Sequence, residues 1–138
     1  MRGVSFKAVA LATIATLGLD IVSGMLLLAI LGGDSLSPTL TEEQRREAIM
    51  ALASNPTFMV PSLVLGTLTT VIGGYVTARI AKSLPYMNSL VFGVLGIIIA
   101  ALTAQDLPLW YTVLGFAAIL PAALLGGHVA KRQMQASA

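Results

Sequence analysis

The residue in this sequence best suited to chemistry is Asp20, the one ionisable side chain deep inside an apolar stretch. If that stretch crosses a membrane, a carboxylate at its middle costs about 2.5 to 3.5 kcal/mol on insertion scales. The carboxyl group therefore needs hydrogen-bond partners or a proton. Helical spacing puts hydroxyl and small residues on the same face as this aspartate, namely Thr13, Thr16, Ser23 and Gly24.

A second apolar stretch carries a matching face of hydroxyl and glycine residues, formed by Ser62, Gly66, Thr69, Thr70, Gly73 and Thr77. Because consecutive membrane-spanning helices run in opposite directions, the middles of the two stretches meet, and Asp20 is expected beside Thr69 or Thr70. Threonine hydroxyls can donate to a carboxylate or accept from a carboxylic acid. The sequence therefore predicts an intramembrane polar site made of Asp20, Thr16, Ser23, Thr69 and Thr70.

Two interpretations of this site stay open. Asp20 can be a proton-coupling or cation-binding carboxyl group, or it can be a structural clasp between two helices. No base and no second acid lies deep inside the apolar stretches, since Arg79 and His128 stand near the ends of theirs, and the sequence has no transport motif. This isolation of Asp20 favours the structural clasp.

Other kinds of chemistry have little support in the sequence. Cysteine is absent, which excludes disulfides, thiolate metal sites and thiol nucleophiles. His128 is the one histidine and has no acidic neighbours, so no metal site is predicted. The segment Gly18–Asp20 is similar to an intramembrane protease motif, but that chemistry requires two aspartates. We expect no enzymatic activity, no catalytic residues and no cofactor, and the net charge of +2 indicates no nucleic-acid partner.

The elements that must position Asp20 are long and apolar. Hydrophobic residues make up 57% of the chain and charged residues only 10%, whereas soluble domains average about 25% charged residues. Four stretches reach or approach the roughly 20 apolar residues that cross a bilayer, at about 8–31, 57–80, 87–103 and 109–130. These lengths predict an all-α fold, a four-transmembrane-helix antiparallel bundle forming a single domain over residues 1–138 in the lipid bilayer.

The connection between the first two stretches predicts a short amphipathic outer helix at about 41–53. Thr41 and Gln44 have the spacing of a capping box, and Glu42 and Arg46 have that of an i,i+4 ion pair. We expect this helix at the mouth of the bundle, on the membrane surface, or as a solvated loop helix without a partner.

The distribution of charge predicts the orientation of the chain. One side carries six basic residues, Arg2, Lys7, Arg79, Lys82, Lys131 and Arg132. The other side carries the acidic residues Asp34, Glu42, Glu43, Glu47 and Asp106, with Arg45 and Arg46 its only bases. Basic residues accumulate on the cytoplasmic side of membrane proteins. The pattern therefore predicts a bacterial cytoplasmic (inner) membrane protein with both termini in the cytoplasm.

Small residues recur at a spacing that allows helices to approach closely. Those predicted to pack helices are Gly66, Gly73, Gly93, Gly96, Ala100, Ala118, Ala122 and Gly126. Lipid provides no hydrophobic drive for helix association, so close backbone contact at small residues provides the attraction instead. The contacts can form within one chain or between chains, and we expect a homo-oligomer or a larger membrane complex.

Three parts of the chain together resemble uncharacterised small four-helix bacterial inner-membrane proteins. They are FKAV from Phe6 with the following Asp20, GGYVTARIAK from Gly73 with its turn at Leu84–Asn88, and LPLWY from Leu107 with ILPAALLGGHVAKR from Ile119. The resemblance implies a location and a topology, and it carries over no activity, ligand or catalytic residue.

Two functions are compatible with these patterns. The first is a non-enzymatic structural or accessory membrane protein that associates through small-residue helix faces. The alternative is a proton-coupled small-solute transporter that acts as an oligomer around Asp20. The absence of a transport motif favours the first.

Overall fold

A computed structural model describes residues 3–103 and 107–137 of the chain. In these residues the protein is all-α, with a short 3-10 helix at Gly33–Leu36 and five α-helices: α1 (Phe6–Leu31), α2 (Glu42–Ala53), α3 (Pro56–Ala81), α4 (Pro85–Thr103) and α5 (Leu109–Ala136). The four long helices α1, α3, α4 and α5 are each long and apolar enough to cross a membrane. Arg2 and Asp106, which contribute to the charge pattern, lie outside the described residues.

Local sequence explains where the long helices begin and end. Ser5 caps α1 by accepting a hydrogen bond from the backbone N–H of Ala8. The turn between α3 and α4 is tight, and Lys82 and Leu84 adopt positive φ angles of 55° and 43° there. Helix α5 continues past the predicted end at residue 130, because the polar segment after Ala130 consists largely of good helix formers.

Helix α2 has the predicted cap but a different ion pair. Both hydrogen bonds of the capping box between Thr41 and Gln44 are present. Glu42 pairs at 3.1 Å with Arg45, one residue short of the predicted partner Arg46. The i,i+3 position lies on the same helix face as the i,i+4 position, so either arginine could reach Glu42. Helix α2 has no buried residue among those described, and it makes a small contact with α3.

Helix α3 is the centre of the packing, because it contacts α1, α4 and α5. Its contact with α5 is the most extensive, and the two backbones touch at glycines. A Cβ atom at Gly74 would overlap the carbonyl group of Ala123, and one at Gly126 would overlap the carbonyl oxygen of Val71. Such close approach maximises van der Waals contact between helices in lipid. Among the described residues no Cα atom of α1 lies within 8 Å of one in α5, so the backbones of these two helices stay apart.

One half of the helix assembly is tightly packed. At the end where α1 begins, Val9 and Ala12 pack against Phe92 and Ala123. Asn88 is fully buried in the same half, where its Oδ1 accepts from the backbone N–H of Ser5 at 2.7 Å and its Nδ2 donates to two carbonyl oxygens of the α3–α4 turn. This half holds the helices in register, and the cavities described next lie toward the other half.

Candidate intramembrane polar site

A side-chain hydrogen bond joins α1 to α3 between Asp20 and Thr69. The Oγ1 atom of Thr69 lies 2.5 Å from Oδ1 of Asp20. Thr69 is buried, whereas Asp20 remains exposed. The second carboxyl oxygen has no hydrogen-bond partner in the part of the chain that the structure describes. One carboxyl oxygen is therefore held by the protein, and the other is free for a ligand or a proton.

The Thr69 hydroxyl has a second acceptor within reach. Its Oγ1 atom lies 2.9 Å from the carbonyl oxygen of Gly66, one turn earlier in α3. A hydroxyl has one proton to donate and two lone pairs that accept. When Asp20 is ionised, Thr69 can donate to it. When Asp20 is protonated, the carboxylic acid can donate to Thr69, whose own proton then bonds to Gly66. Thr69, backed by the carbonyl group of Gly66, can thus hold Oδ1 of Asp20 in either charge state.

The remaining predicted site residues lie around Asp20 without bonding to it. Thr16 is buried and donates to the carbonyl oxygens of Ala12 and Thr13 at 2.9 and 3.0 Å. Thr70 donates to Gly66 at 2.7 Å. Ser23 lines a small cavity together with Asp20. Of the predicted partners, Thr69 alone hydrogen-bonds to the carboxyl group within the described ranges.

Two cavities adjoin the carboxyl group. The larger has a volume of about 330 Å³ and is bounded by all four long helices. Its polar lining consists of Thr13, Thr16, Asp20, Ser62, Thr67, Thr70, Thr103, Tyr111 and Thr112. The second has a volume of about 240 Å³ and is lined by α1, α3 and Tyr111. Both are lined by Asp20, Ser62, Gly66 and Tyr111, so Asp20 stands where the two cavities meet.

Tyr111 belongs to this site, although its place at the start of an apolar stretch is typical of an aromatic residue at the membrane interface. Its hydroxyl lies 3.0 Å from Oγ of Ser62. Ser62 donates its own proton to the carbonyl oxygen of Met59 at 2.8 Å, so Tyr111 is the donor in the pair. The helical spacing of Tyr111, Gly115 and Ala118, which all line the larger cavity, is the sequence signal that identifies this face of α5.

The predicted packing residues separate into two groups. One group packs helices within the chain: Gly73 against Phe92 and Thr16, Gly93 against Leu120 and Ala123, Gly126 against α3, and Ala122 as a buried residue. The other group comprises Gly66, Gly96, Ala100 and Ala118, all of which line the larger cavity. Half of the small residues therefore bring helices together, and half leave space between them.

A separate polar group lies where α4 begins and α5 nears its end. The hydroxyl of Tyr86 lies 2.7 Å from Nδ1 of His128, and Nζ of Lys131 lies 4.9 Å from the centre of the Tyr86 ring. No cluster of three or more histidine, cysteine or acidic residues able to hold a metal ion occurs within residues 3–103 and 107–137.

Comparison of the chain with family models, curated proteins and solved structures finds no match. The function of the site must therefore be argued from its own geometry.

Proposed function

We propose that this chain is a multi-pass membrane protein that couples a proton on Asp20 to the binding and movement of a small solute in the adjoining cavity. The observation that carries the proposal is the position of Asp20, which is held by Thr69 on one carboxyl oxygen and lines cavities of about 330 and 240 Å³. A purely structural clasp would enclose the carboxyl group between helices. An exposed carboxyl group beside a cavity favours the transport function over the clasp.

Coupling follows from the charge of the carboxyl group. A solute that binds more tightly to one charge state of Asp20 changes the affinity of Asp20 for its proton. The proton in turn changes the affinity for the solute by the same factor. The two acceptors around the Thr69 hydroxyl support both states, because neither leaves that hydroxyl without a partner. No large rearrangement of α1 and α3 is needed for the proton to bind or leave.

The proposed arrangement in the membrane is an antiparallel bundle with both termini in the cytoplasm of a bacterium. Contacts between distant residues support the alternating directions. Ser5 and Asn88 join the starts of α1 and α4, and Tyr86 and His128 join the start of α4 to the last third of α5. Asp20 bonds to Thr69 while the earlier Thr16 lies against the later Gly73, so α1 and α3 run in opposite directions. In this arrangement α2 lies outside the membrane at the opposite end, as an amphipathic helix with exposed Glu42, Glu43 and Glu47. The cavity then lies in the outer half of the bundle.

Cysteine labelling tests this orientation, since the chain has no cysteine of its own. We expect Ser83→Cys and Ser137→Cys to react with an impermeant maleimide only from the cytoplasmic side, and Ser54→Cys only from the outer side. Labelling of residues 83 and 137 from opposite sides would contradict the arrangement.

A transport assay tests the function itself. Purified protein is reconstituted into liposomes that contain a pH-sensitive dye, and a panel of small amines, sugars and carboxylates is added outside. We expect at least one solute to evoke proton movement in the wild type and none to do so in Asp20→Asn. The control variant is Glu47→Gln, which removes an exposed carboxylate of α2 and should behave as the wild type. Equal proton movement in Asp20→Asn and wild type would contradict the proposal.

An accessory role through helix association is the second candidate. A Cβ atom added to Gly18 of α1 would meet no atom of a neighbouring helix within 4 Å, and the same face of the helix exposes Ile14, Ile21 and Met25. An unpartnered face with small residues can pack against another membrane helix. Migration as a dimer or with a larger complex on a native gel, lost in Gly18→Leu, would support this candidate. A monomer in mild detergent would contradict it.

A further inference from the structure

We infer that the solute of the larger cavity is a small organic cation, a protonated amine with an apolar body. The inference rests on the proposed function and specifies its substrate class. It follows from which atoms of the lining can donate hydrogen bonds, which can accept them, and what charge the lining carries.

Most hydroxyl protons in the lining are already used by the helices themselves. The hydroxyls that donate to a backbone carbonyl oxygen belong to Ser62, Thr16, Thr67, Thr70, Thr103 and Thr112, at distances of 2.7 to 3.3 Å. A hydroxyl that donates its one proton in this way presents only lone pairs to other groups. These oxygens are therefore acceptors toward anything in the cavity.

Two other hydroxyls complete the lining. Tyr111 donates to Ser62, because the proton of Ser62 goes to Met59. Thr13 has a buried Oγ1 atom without a hydrogen-bond partner among the described residues. Thr13 is thus the one lining hydroxyl whose proton has no acceptor in the described structure. The cavity offers a solute many acceptors and few donors.

The charge of the lining favours the same kind of solute as this excess of acceptors does. Asp20 lines both cavities, and no lysine, arginine or histidine of the described ranges lines either one. A solute with a carboxylate or phosphate group would bring a second negative charge into an apolar region without a counter-charge, which is strongly unfavourable. A solute with an ammonium group would pair with Asp20 and donate to the surrounding oxygens in charge-assisted hydrogen bonds.

The apolar part of the lining indicates an organic cation. Phe92 and Phe116 line the larger cavity together with aliphatic residues of α3, α4 and α5. Its volume of about 330 Å³ falls at the lower end of ligand pockets, which span roughly 300 to 1,000 Å³. A bare metal ion would instead need about six oxygen ligands converging on one point. An aromatic ring with a short aminomethyl group matches the size, the apolar wall and the carboxyl group.

Binding of benzylamine to the full-length protein in detergent tests the inference, with isothermal titration calorimetry as the readout and empty micelles as the blank. Benzyl alcohol and benzoate have the same ring with a neutral and an anionic group. We expect benzylamine to bind at least about 10-fold more tightly than either, since a hydrogen bond to a charged group contributes about 1.5 to 3 kcal/mol. Asp20→Asn should weaken benzylamine binding by about 10- to 100-fold on the same basis.

Three further variants keep the test decisive even where Asp20→Asn does not fold. Asp20→Glu keeps the charge and should keep the preference for the amine. Ala100→Phe keeps Asp20 but fills the larger cavity, and should abolish binding of benzylamine. Glu47→Gln should bind as the wild type. Benzyl alcohol or benzoate binding as tightly as benzylamine, or unchanged benzylamine binding in Ala100→Phe, would overturn the inference.

The transport assay separates failure of this inference from failure of the proposed function. In one outcome, a neutral or anionic solute evokes proton movement that depends on Asp20, and benzylamine does not. That result would overturn the substrate class and leave proton coupling intact. Benzylamine binding that depends on Asp20, without any proton movement, would overturn coupling and leave the cation site intact.

Discussion

Replacement of Gly126 by alanine tests the backbone contact between α3 and α5. An added Cβ atom would overlap the carbonyl oxygen of Val71 and the backbone N of Tyr75. Backbone atoms cannot rotate away as a side chain does, so the helices must separate along their whole contact. Overpacking of this kind costs about 1 to 3 kcal/mol, and two overlapping backbone groups put Gly126 at the upper end of that range. Alanine regains about 1 kcal/mol of helix propensity.

The net prediction is a loss of about 2 kcal/mol in the free energy of unfolding for Gly126→Ala. Gly18→Ala is the matched control, because no neighbour lies within 4 Å of its added methyl group. That variant should be unchanged or stabilised by up to about 1 kcal/mol. Each substitution adds one methyl group to a glycine of a long helix. The two differ in whether that methyl group meets a neighbouring helix.

The assay is reversible unfolding in mixed micelles, in which the fraction of sodium dodecyl sulfate is raised and helicity is followed by circular dichroism. We expect the unfolding midpoint of Gly126→Ala to fall clearly below that of Gly18→Ala. Equal midpoints for the two variants would refute the direct backbone contact between α3 and α5.

Three other substitutions have defined outcomes. Asn88→Ala removes the acceptor for Ser5 and should cost about 1 to 3 kcal/mol in the same unfolding assay; no loss would contradict the role of Asn88 in holding the start of α1. Thr41→Ala removes an exposed cap and should destabilise α2 by about 1 kcal/mol, seen as faster amide hydrogen exchange in α2 alone; faster exchange throughout the bundle would contradict this. Thr69→Val should slow solute-evoked proton movement about 10-fold by removing a hydrogen bond to Asp20, and Thr69→Ser should retain it; equal rates in Thr69→Val and wild type would count against the role of this hydroxyl.

The sequence predicts the four long helices because the length of an apolar run depends on composition alone. The bilayer sets the required length, and the helices satisfy their own backbone hydrogen bonds whatever their neighbours are. The capping box of α2 is similarly local, since Thr41 and Gln44 are three residues apart. The end of α5 is less well predicted, because helix propensity continues after the apolar run stops.

The site is only partly predictable. Asp20 is expected beside Thr69 or Thr70, and the structure has Thr69 in contact with it while Thr70 bonds within its own helix. The choice between the two threonines depends on the rotation of α3, which the spacing of polar residues does not fix to within one position. Tyr111 enters the site through a contact with Ser62 that joins two distant parts of the chain.

The cavities could not be predicted from the sequence at all. Small residues pack closely at Gly73 and Gly93 and border the larger cavity at Gly66 and Ala100. The difference depends on how closely the helices approach at each position, which tertiary packing sets and the local spacing of small residues does not. Composition cannot distinguish a glycine that touches a neighbouring helix from one that faces a cavity.

Infrared difference spectroscopy of the protein in bilayers observes the protonation of Asp20 itself, because the carbonyl stretch of a protonated carboxyl group is separate from that of a carboxylate. The spectrum is recorded over a range of pH with and without benzylamine, and Asp20→Asn identifies the band of Asp20. We expect benzylamine to remove the protonated band of Asp20 in the wild type. A band that titrates identically with and without benzylamine would contradict exchange between proton and solute at this carboxyl group.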